Sequence, residues 1–206
     1  MTDLGANAAG SAGGGYPVDL ELDAAPEIAN WRPLVHWLLA VPHLILANVL
    51  NNVAGVVAIL SWFAIVFTGR LPRGLADFQC MAIRYQARAW AYALWLYEPY
   101  PPFDLSMTGA DPGGSPLQVD IRPRLEDRNR LTVALRLLWV IPIAVFLSVV
   151  AVVASVAAVV GFFAVLFTGR WPDGIRTFLV GTARLAVRTG AYGSLLVDEY
   201  PAFRVG

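Results

Sequence analysis

The chain contains two copies of one pattern, offset by one hundred residues, and this duplication limits the folds that it can adopt. The matched pairs are FTGRLPRG (67–74) and FTGRWPDG (167–174), Arg84 and Arg184, Arg88 and Arg188, Tyr92 and Tyr192, and YPPF (100–103) and YPAF (200–203). Because the spacing stays constant over such a length, the copies are one repeated structural unit and not a chance match. The fold must therefore consist of two equivalent halves.

A long apolar run precedes each FTGR motif. Between Trp37 and Gly69 the only ionisable residue is His43, and none occurs between Leu137 and Gly169. Charged residues make up 15% of the chain, against about 25% in soluble domains. Apolar runs longer than ~18 residues indicate membrane insertion. The alternative, a buried core helix in a soluble protein, is disfavoured because the runs are longer than ordinary core helices.

The length of each run favours a hairpin of two membrane helices. A straight helix from Arg32 to Arg70 would be ~57 Å long, whereas the hydrocarbon core is ~30 Å thick. Asparagines at 48, 51 and 52 favour a turn midway. We therefore predict membrane helices at about 34–49 and 53–68 and, by analogy, at about 131–149 and 152–168. These spans are short, so the alternative is a hairpin that enters the bilayer without fully crossing it.

The positions of the arginines predict the topology. All fifteen basic residues are arginines, and all lie outside the two runs. With hairpins they emerge on one side, which the positive-inside rule makes cytoplasmic. The prediction is a multi-pass protein of the bacterial inner (cytoplasmic) membrane with cytoplasmic N- and C-termini and two parallel repeats. Residues 1–15, rich in Gly and Ala, are predicted to form a disordered tail.

The FTGR motif has the composition of a helix end that lies at the lipid headgroups. Gly69 and Gly169 suit the left-handed residue that ends a helix. The following segments, 75–97 and 175–197, are predicted to be amphipathic helices in the membrane interface. The alternative is a transmembrane helix whose arginines face a bundle interior. The candidate headgroup-binding residues are Arg70, Arg73, Arg84, Arg88, Arg170, Arg184 and Arg188.

Short alternating segments predict strands outside the membrane. Apolar and polar residues alternate at 16–23 and 117–122, as in half-buried strands. With the extended pieces 102–107 and 202–205, they are predicted to form a small cytoplasmic antiparallel sheet. The predicted fold is thus an α-helical membrane protein of two tandem repeats, each a strand, a transmembrane hairpin, an interfacial helix and a strand. The repeats span 16–107 and 116–206, joined by a linker at 108–115.

With these motifs in view, the chain resembles a domain-of-unknown-function family of bacterial, mainly actinobacterial, membrane proteins. The likeness rests on YPVDLELD, FTGRLPRGLADF and YEPYPPFDL, and it covers about residues 16–206 in two copies. The second copy departs from the pattern, because it lacks the opening Tyr-Pro and closes with YPAF. The resemblance implies the architecture, but no activity.

Signals for chemistry are few. His36 and His43 lie seven residues apart, on one helical face, and are candidate axial haem ligands, although packing histidines are the favoured interpretation. The one cysteine, Cys80, excludes an intramolecular disulfide, and we predict no catalytic residue, metal site or cofactor. A net charge of zero gives no case for nucleic acid binding.

The expected function is therefore not enzymatic. We expect an integral membrane accessory subunit or scaffold that packs into a larger membrane protein complex and binds phospholipid headgroups. The alternative is a lipid-handling or transport component that works through a groove between the repeats. A haem protein or an enzyme is the third and weakest hypothesis.

Overall fold

The computed structural model describes residues 16–205; the predicted disordered tail lies outside them. In each half of the chain, one strand is followed by helices. The elements are β1 (Val18–Leu22), α1 (Arg32–Thr68), α2 (Arg73–Ala93), β2 (Leu117–Ile121), α3 (Arg130–Ala134), α4 (Arg136–Thr168) and α5 (Asp173–Gly193). The molecule is mostly helical, with two tandem repeats and a small antiparallel sheet, as the sequence predicted.

The predicted hairpins are wrong, because each apolar run forms a long helix without a turn in its middle. α1 continues through the asparagine cluster for 37 residues, and α4 runs for 33 residues. The Asn52 side chain donates hydrogen bonds to the Asn48 carbonyl and side-chain oxygens, 2.7 and 3.0 Å away, within the helix. These asparagines therefore bond along the helix surface instead of breaking it, and the pairs of spans 34–49 with 53–68 and 131–149 with 152–168 do not exist.

The predicted helix ends at the FTGR motifs are confirmed. Gly69 and Gly169 adopt left-handed conformations, with φ values of 76° and 68°, and their N–H groups donate to Ile65 and Val165 carbonyls. Only glycine takes this conformation without a steric penalty. Each long helix therefore stops at the same place in its repeat.

The predicted interfacial helices are instead internal. α2 packs on α1, β2 and α5, while α5 packs on α4, β1 and α2. Buried residues lie around most of α2, from Ala76 to Tyr92. The amphipathic pattern is helical, as predicted, but the polar face of α2 is buried against protein, and that of α5 is half-buried beside β1.

Two strands form the sheet, and not four. β1 and β2 pair antiparallel as a ribbon, with Leu20 opposite Val119 at its centre. The segments 102–107 and 202–205 form no strand. Their aromatic residues pack on the long helices instead. Phe103 stacks on His43 of α1 with ring centroids 4.1 Å apart, and Phe203 meets Phe146 of α4 at 5.4 Å.

An approximate two-fold axis relates the repeats. It passes through the Leu20–Val119 pair, since the ribbon register is symmetric about that point. Farther out, the Ile28 N–H donates to Gly169 O (2.9 Å), and the equivalent Arg128 N–H donates to Gly69 O (3.4 Å). The start of each long helix thus lies beside the end of the other. α1 and α4 are consequently antiparallel and perpendicular to the axis, which corrects the expectation of parallel repeats.

The outer surfaces of α1 and α4 are apolar along their whole length. Exposed side chains run from Leu34 to Phe67 on α1 and from Leu137 to Phe167 on α4. Both helices are long and apolar enough to cross a membrane. The exposed outer face of the ribbon is different, because it carries Asp19, Glu21 and Asp120.

Candidate functional site

The repeated arginines of α2 and α5 hold the outer edges of the ribbon. Arg84 and Arg88 donate through Nε to the carbonyl oxygens of Val119 (3.4 Å) and Leu117 (3.2 Å). Arg184 donates through Nε to Leu20 O (3.3 Å), and Arg188 to Val18 O (3.4 Å). A two-stranded ribbon has unpaired carbonyls on both edges. The repeated arginine spacing therefore serves a structural purpose in both halves.

Carboxylates neutralise this arginine pair in the first repeat. Asp111 lies 2.6 Å from Arg88 and 3.6 Å from Arg84, and Asp104 lies 3.2 Å from Arg88. Burial alone would raise the pKa of Asp104, but hydrogen bonds from Ser106 and the charge of Arg88 together lower it. The linker thus closes over Arg84 and Arg88.

The predicted headgroup role is wrong for Arg84 and Arg88. They are only 2% and 3% exposed, so no lipid phosphate reaches them. Burial lowers the pKa of Arg84, and the nearby Asp111 opposes this shift. Arg184 and Arg188 are half-buried and bond the ribbon edge.

The other predicted headgroup residues are accessible. Arg70, Arg73 and Arg170 are all exposed at the ends of the long helices. Arg170 has carboxylates of Glu27 and Asp173 at 3.8 Å each. Among residues 16–205, no carboxylate lies within 4.0 Å of Arg70 or Arg73. The end of α1 is therefore the more favourable of the two for an anion.

A second ionic cluster, absent from the sequence predictions, lies at the start of α4. Asp198 is approached by Arg136 (2.6 Å), Arg128 (2.9 Å) and Arg124 (3.7 Å). Arg128 and Arg136 are buried, whereas half of the Arg124 side chain is exposed. The guanidinium of Arg136 also lies 4.1 Å from the centre of the Tyr192 ring. The sequence signal for this cluster is the dense run of charges of both signs at 122–136.

The two histidines lie in the contact between α1 and α2. His36 stacks on Tyr92 at 4.4 Å, and its nitrogens lie 3.3 Å from the Tyr92 carbonyl and the Arg32 guanidinium. His43 Nδ1 lies 2.7 Å from the Tyr85 hydroxyl. Because aromatic rings cover these imidazoles, they fit the packing interpretation and not axial haem ligation.

An apolar groove of about 400 Å³ opens between the repeats. Its walls include Ala58 and Trp62 of α1, Leu137 of α4 and Leu195 after α5. At the equivalent place across the two-fold axis, Trp95 replaces Leu195 and stacks on Trp171 with ring centroids 6.0 Å apart. The groove is therefore open in one half and filled by tryptophan in the other.

No group of three or more His, Cys, Asp or Glu side chains within residues 16–205 is arranged to hold a metal ion. The site features are instead arginine–carboxylate clusters, exposed arginines at helix ends and an apolar groove.

These features define a class: a tandem-repeat helical protein with two candidate membrane-spanning helices. The chain belongs to the family with the domain of unknown function DUF4389, whose family model matches it at residues 30–104 and again at 130–204. Both matches begin just before a long helix and end at the closing YPPF or YPAF segment. Searches of curated proteins and of solved structures gave no match.

Proposed function

We propose that this protein is a non-enzymatic membrane accessory subunit or scaffold that binds phospholipid headgroups and packs against a larger membrane protein complex. The observation that carries the proposal is the apolar outer face of α1 and α4, exposed over the full length of both helices. Soluble monomers rarely expose apolar patches larger than a few hundred Å². We therefore infer that this face is covered by lipid or by another membrane protein.

We further propose that α1 and α4 lie in the plane of one leaflet, as in a monotopic protein. The two-fold axis is perpendicular to both helices and passes through the ribbon, so helices standing upright would put the ribbon at mid-membrane. Its exposed Asp19, Glu21 and Asp120 would each cost about 2.5–3.5 kcal/mol there. With the helices in the plane, the ribbon faces water. The competing arrangement is the multi-pass one predicted from sequence.

Exposed arginines at the helix ends support the lipid part of the proposal. In the in-plane orientation, Arg70, Arg73 and Arg170 lie at the rim of the apolar face, where guanidinium groups pair with phosphates. A cytoplasmic location for both termini and insertion into a bacterial inner membrane are part of the same proposal.

The test is extraction of the full chain from membranes. We expect it to remain in the pellet after alkaline carbonate and to be released by detergent. Binding of the purified protein to vesicles should then be compared for Arg70→Gln and Arg170→Gln. We expect Arg70→Gln to weaken binding to anionic vesicles more, since Arg170 already has two carboxylate neighbours. Recovery of the chain in the soluble fraction would refute the proposal.

The groove between the repeats favours a second candidate function, a lipid-handling component. Its volume lies within the ~300–1,000 Å³ of typical ligand pockets, and its walls are almost wholly apolar. A lipid acyl chain fits that chemistry. Leu195→Trp would copy the filled half of the molecule, where Trp95 occupies this position.

Mass spectrometry of the native protein tests the second candidate. A lipid that is retained by the wild type and lost in Leu195→Trp would support lipid handling. The matched control is Leu137→Ala, which enlarges the groove. A stoichiometric protein partner with no groove-dependent lipid would favour the scaffold.

A further inference from the structure

The carboxylate of Asp198 is surrounded by more arginines than its equivalent in the first repeat. The equivalent carboxylate of the first repeat is Glu98, whose one arginine neighbour among the described residues is Arg32, 3.9 Å away. Ala24, Ile28 and His36 occupy the positions equivalent to the three arginines of the Asp198 cluster.

Arg128 and Arg136 also hold the segment after α5, through Leu195 O (2.7 Å) and Val197 O (3.1 Å). The half-exposed Arg124 instead makes its side-chain hydrogen bond within its own loop, so it is the arginine available for another purpose.

The cluster is open to a ligand on one side. A cavity of about 340 Å³ is lined by Arg124 and Arg136, and its wall also includes Trp139 and Tyr192. Two carboxylates lie at this site, Asp127 and Asp198. The two arginines of the lining balance these two carboxylates, and Arg128, which contacts Asp198 from outside the lining, adds a third positive charge.

The donors of the cluster are not fully used. Within residues 16–205, the Nε atom of Arg136, which lines the cavity, is buried without a hydrogen-bond partner. Among the described residues, the Arg124 side chain donates one hydrogen bond, to the Asp127 carbonyl at 3.1 Å, and it is half exposed, so it can reorient towards a ligand. Asp198 already pairs with Arg136, but a buried donor that stays unused is costly until an acceptor reaches it.

We propose that this cavity binds a phosphate group. Guanidinium groups pair with phosphate oxygens through two parallel hydrogen bonds, which makes arginine the usual residue for this anion. The source is either the headgroup of an anionic phospholipid or free phosphate. Trp139, 56% exposed on the first turns of α4, suits the headgroup depth. The lipid version rests on the proposed membrane function.

The experiment measures binding to the purified full chain in detergent by calorimetry, with two ligands in separate arms: short-chain phosphatidic acid and inorganic phosphate. The variant is Arg124→Gln, since a half-exposed side chain is removed without disturbing the buried pairs. The matched control is Arg122→Gln, which removes an exposed arginine two residues away that does not line the cavity.

We expect Arg124→Gln to weaken binding by about tenfold or more, as loss of a charge-assisted hydrogen bond does, and Arg122→Gln to bind as the wild type does. Tight binding of phosphatidic acid with weak binding of phosphate identifies a headgroup site, and equal binding identifies a free-anion site. Binding of neither ligand, or equal losses in both variants, overturns the proposal. Retention in carbonate-washed membranes is measured in parallel, so failure of this site is distinct from failure of the membrane function.

Discussion

Gly161 of α4 lies directly against Trp171, a residue that packs across the two repeats onto Trp95. A Cβ at this position would overlap the six-membered ring of Trp171, with Cη2 only 2.6 Å away. Trp171 cannot move freely, because its Nε1 donates to Trp95 O at 3.0 Å and its ring stacks on Trp95. Gly161→Ala should therefore destabilise the protein.

The magnitude follows from two opposing effects. Overpacking of a rigid core costs about 1–3 kcal/mol, while replacement of glycine in a helix contributes about 1 kcal/mol of stability. We expect Gly161→Ala to lower the free energy of unfolding by up to about 2 kcal/mol. Gly55→Ala is the matched control: a Cβ there meets nothing within 4 Å, so only the helix contribution remains and the variant should be more stable than the wild type.

The assay is unfolding in mild detergent followed by circular dichroism. Trp171→Leu, which copies Leu71 of the first repeat, should remove the overlap. In a double-mutant cycle, Gly161→Ala should then change from destabilising to stabilising, with a coupling energy of about 1–3 kcal/mol. Equal changes in the free energy of unfolding for Gly161→Ala and Gly55→Ala would contradict the predicted overlap. An unchanged destabilisation by Gly161→Ala in the Trp171→Leu background would contradict it too.

Two further predictions concern the first repeat. Asp111→Asn leaves two buried arginines without their shared carboxylate and should cost about 3–5 kcal/mol, whereas the exposed Glu21→Gln should change stability by less than about 0.5 kcal/mol; equal unfolding midpoints would contradict the buried pairing. Burial raises the pKa of the Cys80 thiol to about 12, so at pH 8 the thiol is protonated. A maleimide should label Cys80 only after unfolding, and mass spectrometry that finds rapid labelling of the native protein would contradict its burial.

The repeats, the ribbon strands and the helix ends were predictable from sequence because each depends on local chemistry. The FTGR glycines end α1 and α4 as expected, and the alternating segments pair as β1 and β2. Two-fold pairing between the repeats was not predictable, since it rests on contacts far apart in sequence, such as Ile28 with Gly169.

The hairpin prediction failed for a physical reason. It assumed that an apolar run must match the bilayer thickness, and that asparagines between two apolar halves mark a turn. Asn48 and Asn52 instead bond to each other on the surface of one helix. A helix of ~56 Å fits a membrane when it lies in the plane, an orientation that hydropathy alone does not distinguish from spanning.

The candidate site was predicted only in part. Arg70, Arg73 and Arg170 are exposed, as headgroup binding requires. Arg84 and Arg88 looked similar in sequence, but their partners are ribbon carbonyls and Asp111, a residue that sequence analysis placed in a simple linker. An arginine that recurs in both repeats therefore indicates a repeated structural contact as readily as a repeated function.

The most direct test measures from which side of the membrane a reagent reaches each part of the protein. Single cysteines at Trp31, Arg73 and Gln118 mark the two ends of α1 and the ribbon; the buried Cys80 can stay in place. An impermeant maleimide is applied to intact spheroplasts and to inverted vesicles. If the long helices lie in the membrane plane, all three cysteines react from the same side. Reaction of Trp31→Cys and Arg73→Cys from opposite sides, with Gln118→Cys protected from both, would contradict the account.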